Sequence, residues 1–126
     1  MLLHAGLEGD DENTTDEFYV EVLGMVKKDG FVVPAKLGKS LFGVDKEIEV
    51  LIYGKENLEL EVFVTGRTQK TAYTHLCIDV DDRKAFVEKC KEHGIEPASG
   101  MKVDREIIFI KDLSGNLFEI KEKLKK

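Results

Sequence analysis

At 126 residues the chain can bury one apolar core and is too short for two independent ones. Apolar residues make up 42 % and charged residues 35 %, the balance of a globular protein in water, and a net charge of −6 excludes the basic surface that nucleic-acid binding needs. No apolar run approaches the roughly 20 residues of a membrane span.

The opening Met1-Leu2-Leu3-His4 shows neither the charged start nor the apolar stretch of a signal peptide. Cys77 and Cys90 form no CxxC pair and no disulfide framework, so a reduced, cytoplasmic setting is expected.

Residues 2–8 read as a strand, with Leu3, Ala5 and Leu7 alternating with Leu2, His4 and Gly6. After a polar stretch, Thr14-Thr15-Asp16-Glu17 has the pattern of a capping box, which predicts a helix carrying Phe18, Tyr19, Val22 and Leu23 on one side and ending at Gly24. Lys27-Lys28 reads as solvated surface. Phe31-Val32-Val33 predicts a short strand, and Pro34 opens a brief helix with Leu37, Leu41 and Phe42, closed by Gly43. Two strands, 48–53 and 58–64, form a hairpin across Gly54 to Asn57, and the polar residues 66–71 form a connector.

The order then repeats. Residues 73–80 predict a strand with Leu76, Ile78 and Val80 on one face and His75, Cys77 and Asp79 on the other. Asp81 or Asp82 caps a helix that carries Phe86, Val87 and Cys90 inward and ends at His93-Gly94. Residues 95–103 are irregular with room for a short strand, 107–111 form an apolar strand, and a turn over 112–116 leads into a last strand, 117–121. His4 aligns with His75, and Asp10-Asp11 with Asp81-Asp82 at the same offset; Gly24 aligns with Gly94 when one residue is dropped. The expected architecture is therefore α+β. Two βαβββ modules, about 1–66 and 72–126, form a curled mixed sheet with helices on its outer face, all in one domain, 1–126.

Four residues fit this plan poorly as bland surface. In Leu58-Glu59-Leu60-Glu61-Val62 the apolar side chains need a core, so the glutamates point to the other face, and the same alternation sets Glu119 opposite Phe118 and Ile120 and His75 opposite Leu76. A single glutamate on a half-exposed strand is ordinarily a solvated carboxylate, and a single histidine is ordinarily just a residue. The recurrence of one His and one Glu in each module gives the set His4, Glu61, His75 and Glu119 its weight. On a concave face such carboxylates are costly without a cation, and two imidazoles with two carboxylates suit a borderline divalent metal: nickel, cobalt, manganese, iron or zinc. Four protein ligands would leave coordination places open for water or substrate.

Several segments resemble the vicinal oxygen chelate superfamily, which includes glyoxalase I, fosfomycin-resistance thiol transferases, extradiol dioxygenases, methylmalonyl-CoA epimerase and bleomycin-resistance proteins. Residues 73–80, Tyr-Thr-His-Leu-Cys-Ile-Asp-Val, look like its fifth strand, and 109–120 is similar to its closing F-x-x-D-P-x-G-N-x-x-E segment, with Leu113 in place of the proline. Leu3-His4-Ala5-Gly6-Leu7, with Phe18-Tyr19 and Leu23-Gly24, resembles its opening strand and helix. The resemblance implies metal ligation by His4, Glu61, His75 and Glu119. Glu59 shares a face with Glu61 and is its rival; Glu61-Val62-Phe63 is the closer match to the family's E-L-F.

The implied activity is that of a metal-dependent lyase or isomerase of the glyoxalase type, acting on a small oxygen-rich substrate, with Glu61 or Glu119 as the base and a homodimer as the working form. A small-molecule-binding module without turnover is the alternative, as is a thiol transferase or a dioxygenase. Bacterial glyoxalase I has a glutathione-holding arginine where Glu8 stands here, which argues against glutathione, and Phe109 occupies the place of the tyrosine that contacts fosfomycin in the thiol transferases. Cys77 reads as small filler, Asp79 as an exposed strand end, and Arg67, Lys102 and Arg105 as surface cations.

Overall fold

The computed structural model describes residues 1–67 and 73–124; the expected connector, 66–71, falls outside the described residues from residue 68 onward. The chain divides into two compact units, Met1–Thr68 and Gln69–Lys126. Each unit holds a four-stranded mixed sheet and helices, so the α+β plan of two βαβββ modules is realised as two open sheets.

In the first unit β1 (Ala5–Gly9) runs parallel to β4 (Leu58–Val64), β4 antiparallel to β3 (Ile48–Lys55), and β3 antiparallel to β2 (Val26–Val33), in the order β1-β4-β3-β2. The helix α1 (Glu12–Asp16) starts earlier than the threonine pattern predicts. Its N-cap is Asp11, whose carboxylate accepts the Thr14 amide at 2.7 Å. A carboxylate in range of a free amide displaces the weaker threonine cap, and the Thr15 hydroxyl instead donates to the Asp11 carbonyl at 2.6 Å. The helix runs on as a π-turn, Glu17–Val22, with the Leu23 amide bonded to the Phe18 carbonyl five residues back at 2.8 Å. This widened turn brings Phe18, Tyr19 and Val22 all into the core. Tyr19 stacks on Tyr53 of β3 with ring centroids 5.2 Å apart.

Cross-strand register divides the sheet into two faces. Leu51 opposes Val62, Tyr53 opposes Leu60, and Lys27 opposes Tyr53, so these side chains share the face under α1. Ile52 opposes Glu61, Val50 opposes Phe63, Gly54 opposes Glu59 and Lys28 opposes Ile52, which places these residues on the other face with Gly6 and Glu8 of β1. That second face carries a helix of its own. The helix α2 (Ala35–Phe42), with Pro34 as N-cap, sets the Phe42 ring against Phe63 at 5.4 Å. Its apolar side chains Leu37, Leu41 and Phe42 are 47 %, 63 % and 54 % exposed, and Gly38 is the helix's buried residue.

In the second unit β5 (Leu76–Val80) runs parallel to β8 (Leu117–Glu122), followed by antiparallel β7 (Arg105–Lys111) and β6 (Ala98–Lys102). The helix α3 (Arg83–Glu92) is capped by Asp82, which accepts the Ala85 amide at 3.0 Å. Phe86 and Cys90 of α3 are buried, as are Ile108, Ile110, Phe118 and Ile120 of the sheet. The turn before β8 is built on buried Asp112, whose Oδ1 accepts the Ser114 amide at 2.9 Å and the Asn116 amide at 2.7 Å. No helix among the described residues is long and apolar enough to cross a membrane.

Candidate metal centre

Both candidate histidines stand just ahead of the strands predicted to contain them, which begin at Ala5 and Leu76. In the first unit parallel pairing sets Gly6 opposite Glu61 and brings His4 Nε2 to 3.7 Å from Glu61 Oε2. In the second unit Cys77 opposes Glu119, and His75 Nε2 lies 3.7 Å from Glu119 Oε1. The two modules thus repeat one arrangement with the same spacing. Each carboxylate is the more sheltered member of its pair, at 16 % and 19 % side-chain exposure against 48 % and 36 % for the histidines.

The orientation of His75 is set by its other nitrogen. Nδ1 lies 2.8 Å from the Tyr73 carbonyl oxygen, which can only accept, so Nδ1 carries the proton. In the neutral ring Nε2 then turns a lone pair toward the Glu119 carboxylate. Such a pair is joined by a cation, either a proton on Nε2 or a metal ion, and backbone anchoring of the far nitrogen is the usual support of a metal-bound imidazole. Two donors about 2.1 Å from one ion sit about 3 to 3.5 Å apart. The 3.7 Å pairs come within a few tenths of an ångström of that spacing. In donor chemistry and spacing, the residues fit a divalent ion. Each unit holds one such His–Glu pair, and among the described residues no three His, Cys, Asp or Glu side chains gather into a group that could hold a metal.

Neighbouring groups on these faces have their own partners. Glu59 makes an ion pair with Lys28 at 3.2 Å, whereas Glu61 faces His4. Glu8 forms an ion pair with Arg67. Cys77 is exposed, and desolvation together with the Glu119 charge pushes its thiol pKa up, away from a reactive thiolate. Sequence reasoning marked Phe109 but missed the Tyr73 carbonyl, which no side-chain pattern encodes, and Phe63. Phe109 opposes Glu119 in register and meets the His75 ring edge-on at 5.0 Å. Phe63 stands two residues from Glu61 on the same face, a position the period-2 pattern could have flagged.

The model of the glyoxalase/bleomycin resistance protein/dioxygenase superfamily matches residues 2–120. The chain belongs to this superfamily. A search of curated proteins finds no match. Among solved structures, this superfamily member is similar to a glyoxalase family protein from Enterococcus faecalis, at 21 % identity and a TM-score of 0.73, with 95 % of each chain covered. It is also similar to the genomically encoded fosfomycin resistance protein FosX from Listeria monocytogenes, solved with Mn(II) and sulfate, at 17 % identity and a TM-score of 0.72, covering 98 % of this chain and 93 % of that one. A glyoxalase family protein from Bacillus cereus has 17 % identity and a TM-score of 0.73, covering 98 % and 94 %. At these identities the neighbours establish a shared fold.

Proposed function

We propose that the chain is a divalent-metal-dependent lyase or isomerase of the glyoxalase type, in which His4, Glu61, His75 and Glu119 hold one ion of nickel, cobalt, manganese, iron or zinc. The observation that carries this reading is the repeated His–Glu pair at 3.7 Å, one pair in each module. In this reading the two modules act as one domain, in the cytoplasm, as a homodimer working on a small molecule. The bound metal supplies Lewis-acid stabilisation of charge that builds on two neighbouring substrate oxygens. The protein's own part is proton transfer. One of the two glutamates, Glu61 or Glu119, leaves the ion to accept a carbon-bound proton and return it; their low side-chain exposure, 16 % and 19 %, supports this role. His75, pinned by the Tyr73 carbonyl, keeps Nε2 aimed at the site. Glu8, paired with Arg67, stands where bacterial glyoxalase I carries its glutathione-holding arginine, which argues against glutathione itself.

A module that binds an oxygen-rich molecule without turnover is the second reading, since each unit by itself supplies a single His–Glu pair. Elemental analysis of the purified protein separates the two. About one transition metal per chain is expected, lost in the His4→Ala, His75→Ala double variant and reduced more by Glu61→Gln than by Glu59→Gln. Unchanged metal content in the double variant would remove the site, and no metal after reconstitution with all five ions would favour the binding module.

A further inference from the structure

The first module carries a helix that the second lacks: β2 and β3 are joined through α2, whereas β6 turns directly into β7 across residues 103–104. This helix lies on the face that bears Glu61. Register puts Val33, Ile48, Val50 and Phe63 on that face, and the Phe42 ring meets Phe63 edge-on with centroids 5.4 Å apart. Phe63 in turn leans over β1. A Cβ added to Gly6 would meet its Cε1 at 3.4 Å, an ordinary contact distance, so the ring lies beside Gly6 of β1. Gly6 is the cross-strand partner of Glu61 and stands two residues from His4. An aromatic surface therefore adjoins the His4–Glu61 pair, and its outer ring, Phe42, is 54 % exposed.

We propose that Phe63 and Phe42 form an apolar seat beside Glu61, so that the substrate carries an aryl or branched alkyl group next to its chelating oxygens. The inference rests on the proposed metal site and narrows its substrate class. Packing α2 onto the sheet explains Phe63, but it does not explain a second phenylalanine left half in water. Edge-to-face ring contact adds attraction beyond area burial, which favours a flat substituent over a methyl group. A phenyl group laid on such a surface is expected to tighten binding about tenfold, equivalent to about 1.4 kcal/mol.

Two bidentate oxygen ligands that differ only in this group, benzohydroxamate and acetohydroxamate, test the idea by calorimetric titration of the manganese-loaded protein. Wild type is expected to prefer benzohydroxamate about tenfold, and Phe42→Ala and Phe63→Leu to reduce that preference toward unity. Equal affinities in wild type, with metal bound, would overturn the seat and spare the metal site. If no metal binds, the seat is read in the metal-free protein by aromatic NMR shifts, with Phe42 and Phe63 assigned through the same variants. Benzohydroxamate shifting those rings while acetohydroxamate does not would support the seat without the metal, and no shift from either would overturn it. A Phe42→Ala protein with altered sedimentation and an intact aryl preference would assign Phe42 to a contact between copies and overturn its part.

Discussion

Tyr53 shows how one sheltered hydroxyl organises charge around it. It donates to Asp16 Oδ1 at 2.6 Å, while Lys27 Nζ lies 2.9 Å from Asp16 Oδ2 and 2.5 Å from Glu12 Oε2. Lys27-Lys28, read from sequence as solvated surface, is split by strand alternation: Lys27 enters this cluster and Lys28 pairs with Glu59 on the opposite face. Burial pushes the Tyr53 phenol pKa up and the Asp16 charge adds to the shift; the hydrogen bond to Glu12 raises that of Lys27. For a group whose folded pKa exceeds its unfolded value, the stabilisation is complete below the unfolded value and is lost as pH rises toward the folded one. Wild-type stability should therefore fall steeply above about pH 10, the ordinary range of tyrosine and lysine. Tyr53→Phe is expected to lower stability by about 1 kcal/mol at neutral pH and to flatten the alkaline decline. Urea unfolding across pH checks this, and parallel declines in the two proteins would count against it.

At the scale of elements, β2 departs most from what the sequence led us to expect. The strand runs over Val26–Val33 with a register shift between Lys28 and Phe31, although the apolar pattern marked only its last three residues. An edge strand needs no apolar alternation, so Lys27-Lys28-Asp29 gave no signal. Gly30 sits at the irregularity, where a Cβ would collide with the Val50 carbonyl oxygen. Gly30→Ala is expected to cost about 1 to 3 kcal/mol, and Gly100→Ala, where a Cβ meets nothing within 4 Å, to change little. Similar melting temperatures for both variants would refute the close approach. The helix starts teach a related lesson. The repeat aligns Asp11 with Asp82, and both are N-caps, whereas the Thr14–Glu17 capping-box pattern points to a later start because it carries local sequence alone. The hairpin, α2 with Pro34 and Gly43, α3 and the Asp112 turn were legible because each carries turn or capping chemistry in the residues themselves.

For the whole molecule, the repeat is the most informative signal in the sequence, since it marks the same residues that stand as His–Glu pairs in the two modules. Sequence did not reveal that α2 leaves Leu37 and Leu41 half exposed, because a 3.6-residue period marks an apolar stripe and not what covers it. The proposed homodimer offers a cover for these side chains. Sedimentation is expected to give twice the chain mass of 14.2 kDa at micromolar concentration, and Leu41→Lys to shift it toward the monomer. A wild-type monomer at tens of micromolar would remove the dimer from the proposal.

The parallel pairing of β1 with β4 and of β5 with β8 also governs when the candidate ligands meet. A parallel neighbour cannot be reached by a tight turn, so each histidine waits for its glutamate across nearly the whole module. The hairpins between β3 and β4 and between β7 and β8 are local and can form early, but joining the first strand to the last is the long-range step. During synthesis, His4 leaves the ribosome long before Glu61, and His75 long before Glu119. A metal ion that meets the unfinished chain finds each imidazole without its paired glutamate. The pairs therefore mature one module at a time, and the second is completed only when β8 is made.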